Sequence, residues 1–361
     1  MKKPWIMTLV ILIFLSSFSF AQEINSNSDS LKTVALDEAL KCIKLKEEDL
    51  TFRNDYLEID AFRLEKIDQL MKNPLETSSF SEKLGLSLEK GKDSPTALLK
   101  NGFKYIISKS KKENNFEIYE LQTEFKITPE DELFLNKNLK KIDKLPEELK
   151  KAIGYLFLGL SRADKGWEDA LAELSSKEID SLRNYFPILI LEDVMDEFKS
   201  VEEMDKEQKY EEKLAKDLIP LAEKFKLEKA YSQNIKLGKM VEEAISILNE
   251  YLSTSPKIKS NENDMIITTK TEYGEIVVGG FGSSIYKGNP RIIIDLGGDD
   301  QYNLTSSEGS SVVLDLGGND TYISLGNYSI GSGFFGTGIL IDKSGDDNYM
   351  GRSFSLGTGL F

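Results

Sequence analysis

Apolar residues follow two different periods along this chain, and the change of period divides it. From residue 31 to about residue 252 they return every three or four positions among Lys and Glu, the spacing of one helix face. Residues 31–50 carry Val34, Leu36, Leu40 and Ile43, and residues 56–71 carry Ile59, Phe62, Leu64, Ile67 and Leu70. Ser94-Pro95 puts Pro in the first turn of a further helix. Residues 116–127 alternate enough to suit either a strand or a helix. Thr128-Pro129-Glu130-Asp131 is an N-cap followed by acids that favour a helix N-terminus. Leu145-Pro146 opens a helix through Leu160, with Gly166 expected to end it, and Ser175-Ser-Lys-Glu178 fits a capping box. Residues 187–198 are apolar on one face. Residues 202–228 carry Leu214, Leu218, Leu221 and Phe225 at helical spacing, and Pro220 should kink or divide them. Residues 240–252 form the last predicted helix.

Beyond a polar linker at 253–264 the pattern changes to strands, at 265–271 and 273–278. One phrase then recurs: Ile292-Ile-Ile-Asp-Leu-Gly-Gly-Asp-Asp-Gln-Tyr302, Val312-Val-Leu-Asp-Leu-Gly-Gly-Asn-Asp-Thr-Tyr322 and Ile339-Leu-Ile-Asp-Lys-Ser-Gly-Asp-Asp-Asn-Tyr349. An earlier copy, Ile276-Val-Val-Gly-Gly-Phe-Gly-Ser-Ser-Ile-Tyr286, has Gly279, Ser283 and Ser284 where the acids stand. Three apolar residues suit a short buried strand, and the Asp/Gly run is turn chemistry. Ser329-Ile-Gly-Ser-Gly-Phe-Phe335 aligns with Ser355-Leu-Gly-Thr-Gly-Leu-Phe361 as a third strand. A period of 20 to 27 residues with an atypical first copy predicts a parallel β-solenoid. The expected fold is α+β multidomain: a signal at 1–21, an all-α domain at 22–252 and a solenoid at 265–361. Phe361 aligns with Phe335 in mid-coil, so the solenoid is expected to be incomplete at its C-terminus.

Stacking makes an electrostatic demand. Strands about 4.8 Å apart would put Asp295, Asp315 and Asp342 in one column, Asp299, Asn319 and Asp346 in a second, and Asp300, Asp320 and Asp347 in a third. Unit charges at that spacing repel by roughly 1 kcal/mol in water and by several times more when partly buried. A Ca²⁺ ion midway between coils would lie about 2.4 Å from each, within its ordinary range, whereas Mg²⁺ wants shorter bonds and a stricter octahedron. These nine residues are therefore the candidate metal ligands, with Ca²⁺ as the candidate ion. A metal-free ladder of hydrogen-bonded Asp and Asn is the competing explanation. Tyr286, Tyr302, Tyr322 and Tyr349 would form an aromatic column, either structural or able to grip a glycan.

The Gly-Gly pairs with nearby Asp resemble the calcium-binding repeat solenoids of secreted bacterial proteins, the RTX-like class, over the last quarter of the chain. That class repeats Gly-Gly-x-Gly-x-Asp in a nonapeptide. Order and period differ here, so its ligands are not transferred position by position. The resemblance implies a secreted, cation-dependent solenoid.

The N-terminus points the same way. Lys2 and Lys3, an apolar run from Trp5 to Leu15 and Ser19-Phe20-Ala21 fit a cleavable export signal, leaving Gln22 first. The run is short for a membrane anchor, and no span is expected after cleavage. The expected location is secreted, periplasmic or cell-surface. A single Cys42 excludes an internal disulfide and reads as a semi-buried structural residue or a reactive thiol. The net charge of −15 argues against nucleic acid and anionic membrane. With no His, Ser-His-Asp and Cys-His catalysis and His-based zinc sites are excluded. No catalytic residue is assigned. The reading is an exported calcium-binding repeat protein with a structural or ligand-binding role, its partner a glycan or a surface protein. The alternatives are the non-catalytic front of a larger secreted hydrolase or peptidase, and a β-helix enzyme acting on polysaccharide.

Overall fold

A computed structural model of the chain describes residues 27–50, 65–92, 94–110, 127–142, 145–189, 200–254, 265–306 and 309–360. The expected signal at 1–21, nearly all of the ambiguous stretch 116–127 and residues 255–264 of the expected linker lie outside them. The described residues form nine α-helices followed by a β-rich region of mainly parallel strands.

The chain divides into two compact units, residues 1–85 and 86–361. In the first, α1 (Asn27–Cys42) and α2 (Glu65–Lys72) bury Leu40 and Leu70. Cys42 is exposed at the end of α1, which corrects the semi-buried expectation. Helix α3 (Glu76–Gly91) spans the boundary between the units.

The second unit holds α4 (Pro95–Ser110), α5 (Pro129–Asn138), α6 (Glu147–Ala170), α7 (Ser176–Tyr185), α8 (Val201–Ala222) and α9 (Leu227–Thr254). Local chemistry sets the starts of α5 and α7. Thr128 Oγ1 accepts from the Asp131 N–H at 3.2 Å, and Ser175 does the same for Glu178, each acid reaching back to the cap N–H. Pro220 falls two residues before the end of α8, and the break that follows separates α8 from α9. Gly166 does not end α6, which runs on to Ala170. It sits where α9 comes close: a Cβ there would lie 3.0 Å from the Lys229 carbonyl. Gly166 is thus a contact residue of the helix pair, and the single sequence cannot distinguish that use from a stop.

Strand order follows the repeat. One sheet runs β1 (Met265–Thr271), β2 (Gly274–Gly279), β4 (Ile292–Asp295), β6 (Ser311–Asp315) and β9 (Gly338–Asp342). The second orders β10 (Asn348–Met350), β7 (Thr321–Ser324), β5 (Gln301–Leu304) and β3 (Ile285–Gly288). A short pair joins β8 (Gly333–Phe334) to β11 (Gly359–Leu360). Apart from the antiparallel β1–β2 hairpin, every pairing is parallel and joins equivalent positions of the repeat. Ile276, Ile292, Val312 and Ile339 pair in succession, as do Tyr286, Tyr302, Tyr322 and Tyr349.

The triplets are apolar throughout because β2, β4 and β6 are covered on both faces. Ile276, Val278, Ile292, Ile294, Val312 and Leu314 share one core with Leu149, Leu156, Phe157 and Leu160 of α6 and with Leu237, Val241 and Leu248 of α9. The middle residues Val277, Ile293 and Val313 turn the other way and pack with the Tyr column. Polar ties fix the helix to the strands. Arg291 pairs with Asp164, whose other oxygen accepts from the Ser310 N–H at 2.8 Å. Trp167 Nε1 donates to Thr337 Oγ1 at 3.1 Å. The helices from α6 onward and the repeats therefore belong to one packed body.

Candidate cation site

The register brings the acids together at the strand ends and in the turns that follow. Asp295 pairs with Asp315 and Asp315 with Asp342, as the first column requires. Asp295 and Asp315 are fully buried. Their δ1 oxygens accept from the N–H of Gly297 at 2.6 Å and of Gly317 at 2.9 Å. Tyr hydroxyls take the other oxygens: Tyr286 donates to Asp295, and Tyr302 and Tyr322 both donate to Asp315, at 2.6 and 2.9 Å. Tyr349 donates to Asp342 at 2.7 Å. The rings stack with centroids 4.7, 4.5 and 4.7 Å apart.

This hydroxyl-to-carboxylate pairing is absent from the sequence expectation, although Asp and Tyr keep one spacing in all three copies. It also accounts for Gly279 in the first copy. A Cβ at that position would collide with the Tyr286 hydroxyl and approach Asp295 Oδ2 to 2.6 Å.

The two turn columns make opposite ladders. Asp299 Oδ1 accepts from the Asn319 N–H at 2.8 Å, and Asn319 Oδ1 from the Asp346 N–H at 3.0 Å, so each side chain reaches to the next repeat. This column is exposed. The third column reaches to the preceding repeat. Asp300 Oδ1 accepts from the Ser284 N–H at 2.5 Å, Asp320 Oδ1 from the Asp300 N–H at 2.6 Å, and Asp347 Oδ1 from the Asp320 N–H at 2.8 Å. Glycine is required beside them because each repeat's Gly carbonyl fills the space of the next repeat's Cβ. The Gly282, Gly298 and Gly318 carbonyls occupy the Cβ positions of Gly298, Gly318 and Gly345 in turn.

Of the nine candidates, five converge. Carboxylate oxygens of Asp300, Asp315 and Asp320 lie within 4.8 Å of one another, and those of Asp320, Asp342 and Asp347 do the same. Asp300 is 4% exposed and Asp320 1% exposed, yet the Oδ2 of each has no hydrogen-bond partner, and neither does Asp342 Oδ1. Asp295, Asp299 and Asp346 stand outside these two groups.

The charge balance is correspondingly poor. Burial pushes Asp300 up to about 6 and Asp320 up to about 8, with the Asp315 charge adding to both. Burial and the Asp300 charge push Asp295 up to about 9. Burial beside carboxylates holds the four tyrosines well above the ordinary phenol range. These acids need either protons or a cation to remain together.

Comparison with protein families, with curated proteins and with solved structures finds no match. Among the described residues, no helix is long and apolar enough to cross a membrane.

Proposed function

We propose that the chain is an exported calcium-binding repeat protein. Its C-terminal β-solenoid holds a cation on Asp300, Asp315 and Asp320 and serves a structural or ligand-binding role. The observation that carries this reading is the pair of buried, unpartnered oxygens, Asp300 Oδ2 and Asp320 Oδ2, beside the buried Asp315. A buried acceptor without a donor costs about 1–3 kcal/mol, more when charged, and a shared ion removes that cost. Stacked carboxylates at strand spacing suit the longer bonds and looser geometry of Ca²⁺ better than those of Mg²⁺. Turn carbonyls and water complete its shell.

One observation favours the metal-free ladder for part of the site. Asp299, Asn319 and Asp346 satisfy one another's backbone N–H groups and face solvent. The proposal assigns them to turn structure, and leaves the ion to the inner acids.

Melting of the full chain in EGTA and in calcium tests the reading. Calcium at a hundredfold excess over its dissociation constant adds about 2.7 kcal/mol to stability. The melting temperature rises with calcium, and Asp300→Asn or Asp320→Asn suppresses the rise. Equal melting in both buffers counts against the metal.

A further inference from the structure

The tyrosines of the repeat occupy equivalent positions but serve different carboxylates. Tyr286 donates to Asp295, which stands outside the converging oxygens. Tyr302 and Tyr322 both donate to Asp315 Oδ2, at 2.6 and 2.9 Å, and Asp315 converges with Asp300 and Asp320. Tyr322 closes the same repeat as Asp315, and Tyr302 closes the one before it. Their rings pair in register and stack with centroids 4.5 Å apart at 11°. Both rings and Asp315 are fully buried, so the column fixes where the two hydroxyls point. On the other oxygen, Oδ1, the Gly317 N–H donates at 2.9 Å. An ionised carboxylate offers about four acceptor sites on its two oxygens. The two hydroxyls fill Oδ2, and the N–H leaves one site on Oδ1.

We propose that Tyr302 and Tyr322 are positioning residues for the cation. Their hydroxyls hold Asp315 so that Oδ1 meets the ion beside Asp300 and Asp320. The inference rests on the calcium reading above and adds to it the residues that set the affinity. A ligand already held in place does not have to be ordered when the ion arrives, and what it saves appears as tighter binding. Hydrogen-bond partners of a metal ligand are worth about 10- to 100-fold in metal affinity. Removing either hydroxyl frees a site on Oδ2 and loosens the carboxylate. Tyr286 has no such part, although its place in the repeat is the same, because its hydroxyl ends on Asp295.

The test is calorimetric titration of the metal-stripped full chain with calcium, beside Tyr302→Phe, Tyr322→Phe and Tyr286→Phe. Each of the first two leaves the other hydroxyl on Oδ2 and the Gly317 N–H on Oδ1, so the fold stands. Each binds calcium at least about tenfold more weakly than wild type, whereas Tyr286→Phe binds as wild type does. A hydroxyl with only a structural part would lower melting in EGTA and leave the dissociation constant of the folded chain unchanged. A second measurement needs no variant. Calcium added to the wild type shifts the near-ultraviolet tyrosine absorption, because an ion on Asp315 draws charge from the acceptor of two buried hydroxyls. Wild-type affinity in Tyr302→Phe or Tyr322→Phe, an equal loss in Tyr286→Phe, or calcium bound without a tyrosine shift overturns this inference alone. A wild-type chain that binds no calcium overturns the calcium reading as well.

Discussion

The second and third acidic turns share one phrase yet occupy different chemical environments. At Asp315 the carboxylate has a repeat on either side, a Gly N–H on one oxygen and two Tyr hydroxyls on the other, and no exposure. At Asp342 one hydroxyl remains, one oxygen is unpartnered, and Lys343 and Ser344 replace the Leu and Gly of the earlier copies. The difference teaches that position in the stack sets the chemistry of these acids as much as the motif does. Asp315, paired with a strand on each side, is fully covered, whereas Asp342, paired with β6 alone among the described residues, is half-buried.

The sharpest way to break that comparison is to remove each acid. Asp315→Ala strands two buried Tyr hydroxyls and the part-buried Gly317 N–H, and at about 1–3 kcal/mol for each buried donor it should cost on the order of 4 kcal/mol in urea unfolding. Asp342→Ala should cost about 1 kcal/mol, because its surroundings reach water. Equal losses would mean that the stack does not distinguish the two repeats.

Next in size is pH in the absence of metal. Unfolded aspartates titrate near 3.9, whereas Asp320 and Asp295 keep their protons up to about 8 and about 9 in the folded chain. The folded state binds more protons across that window. The contribution of these two groups to stability is therefore fully present below about pH 4 and falls as pH rises towards 8–9, by up to about 1.4 kcal/mol per pH unit for each retained proton. Urea midpoints at pH 5, 7 and 9 in EDTA should decline, and calcium should flatten the decline.

Glycine substitution gives a smaller contrast. Gly318→Ala drives a methyl group into the Gly298 carbonyl and should cost about 1–3 kcal/mol, while Gly359→Ala in β11 meets open space and should be near neutral by thermal melting. The smallest effect belongs to the exposed ladder. Asn319→Ala removes the acceptor for the Asp346 N–H and should cost about 0.5–1 kcal/mol, with no change in calcium response.

Much of this arrangement was legible in the sequence, for reasons that differ by region. The repeat fixed the pairing register because identical apolar triplets and a constant Tyr position leave only one alignment that buries both. The caps at Thr128 and Ser175 were readable because they are local. Gly166, Asp164 and Trp167 were not, since their partners Lys229, Ser310 and Thr337 are remote in sequence. The candidate site was half legible. Spacing gave the three columns, but which oxygens would be taken by Tyr hydroxyls or backbone N–H groups depends on the turn geometry. That geometry separates Asp299, Asn319 and Asp346, held in an exposed ladder, from the inner acids with oxygens to spare.

Elemental analysis of the folded full chain, dialysed against calcium and then freed of unbound ion, tests the central claim most directly. The account predicts at least one retained calcium per chain, lost in the Asp300→Asn, Asp320→Asn double variant. A folded wild-type chain that retains none would mean that protons alone hold the acid stack together, and would contradict it.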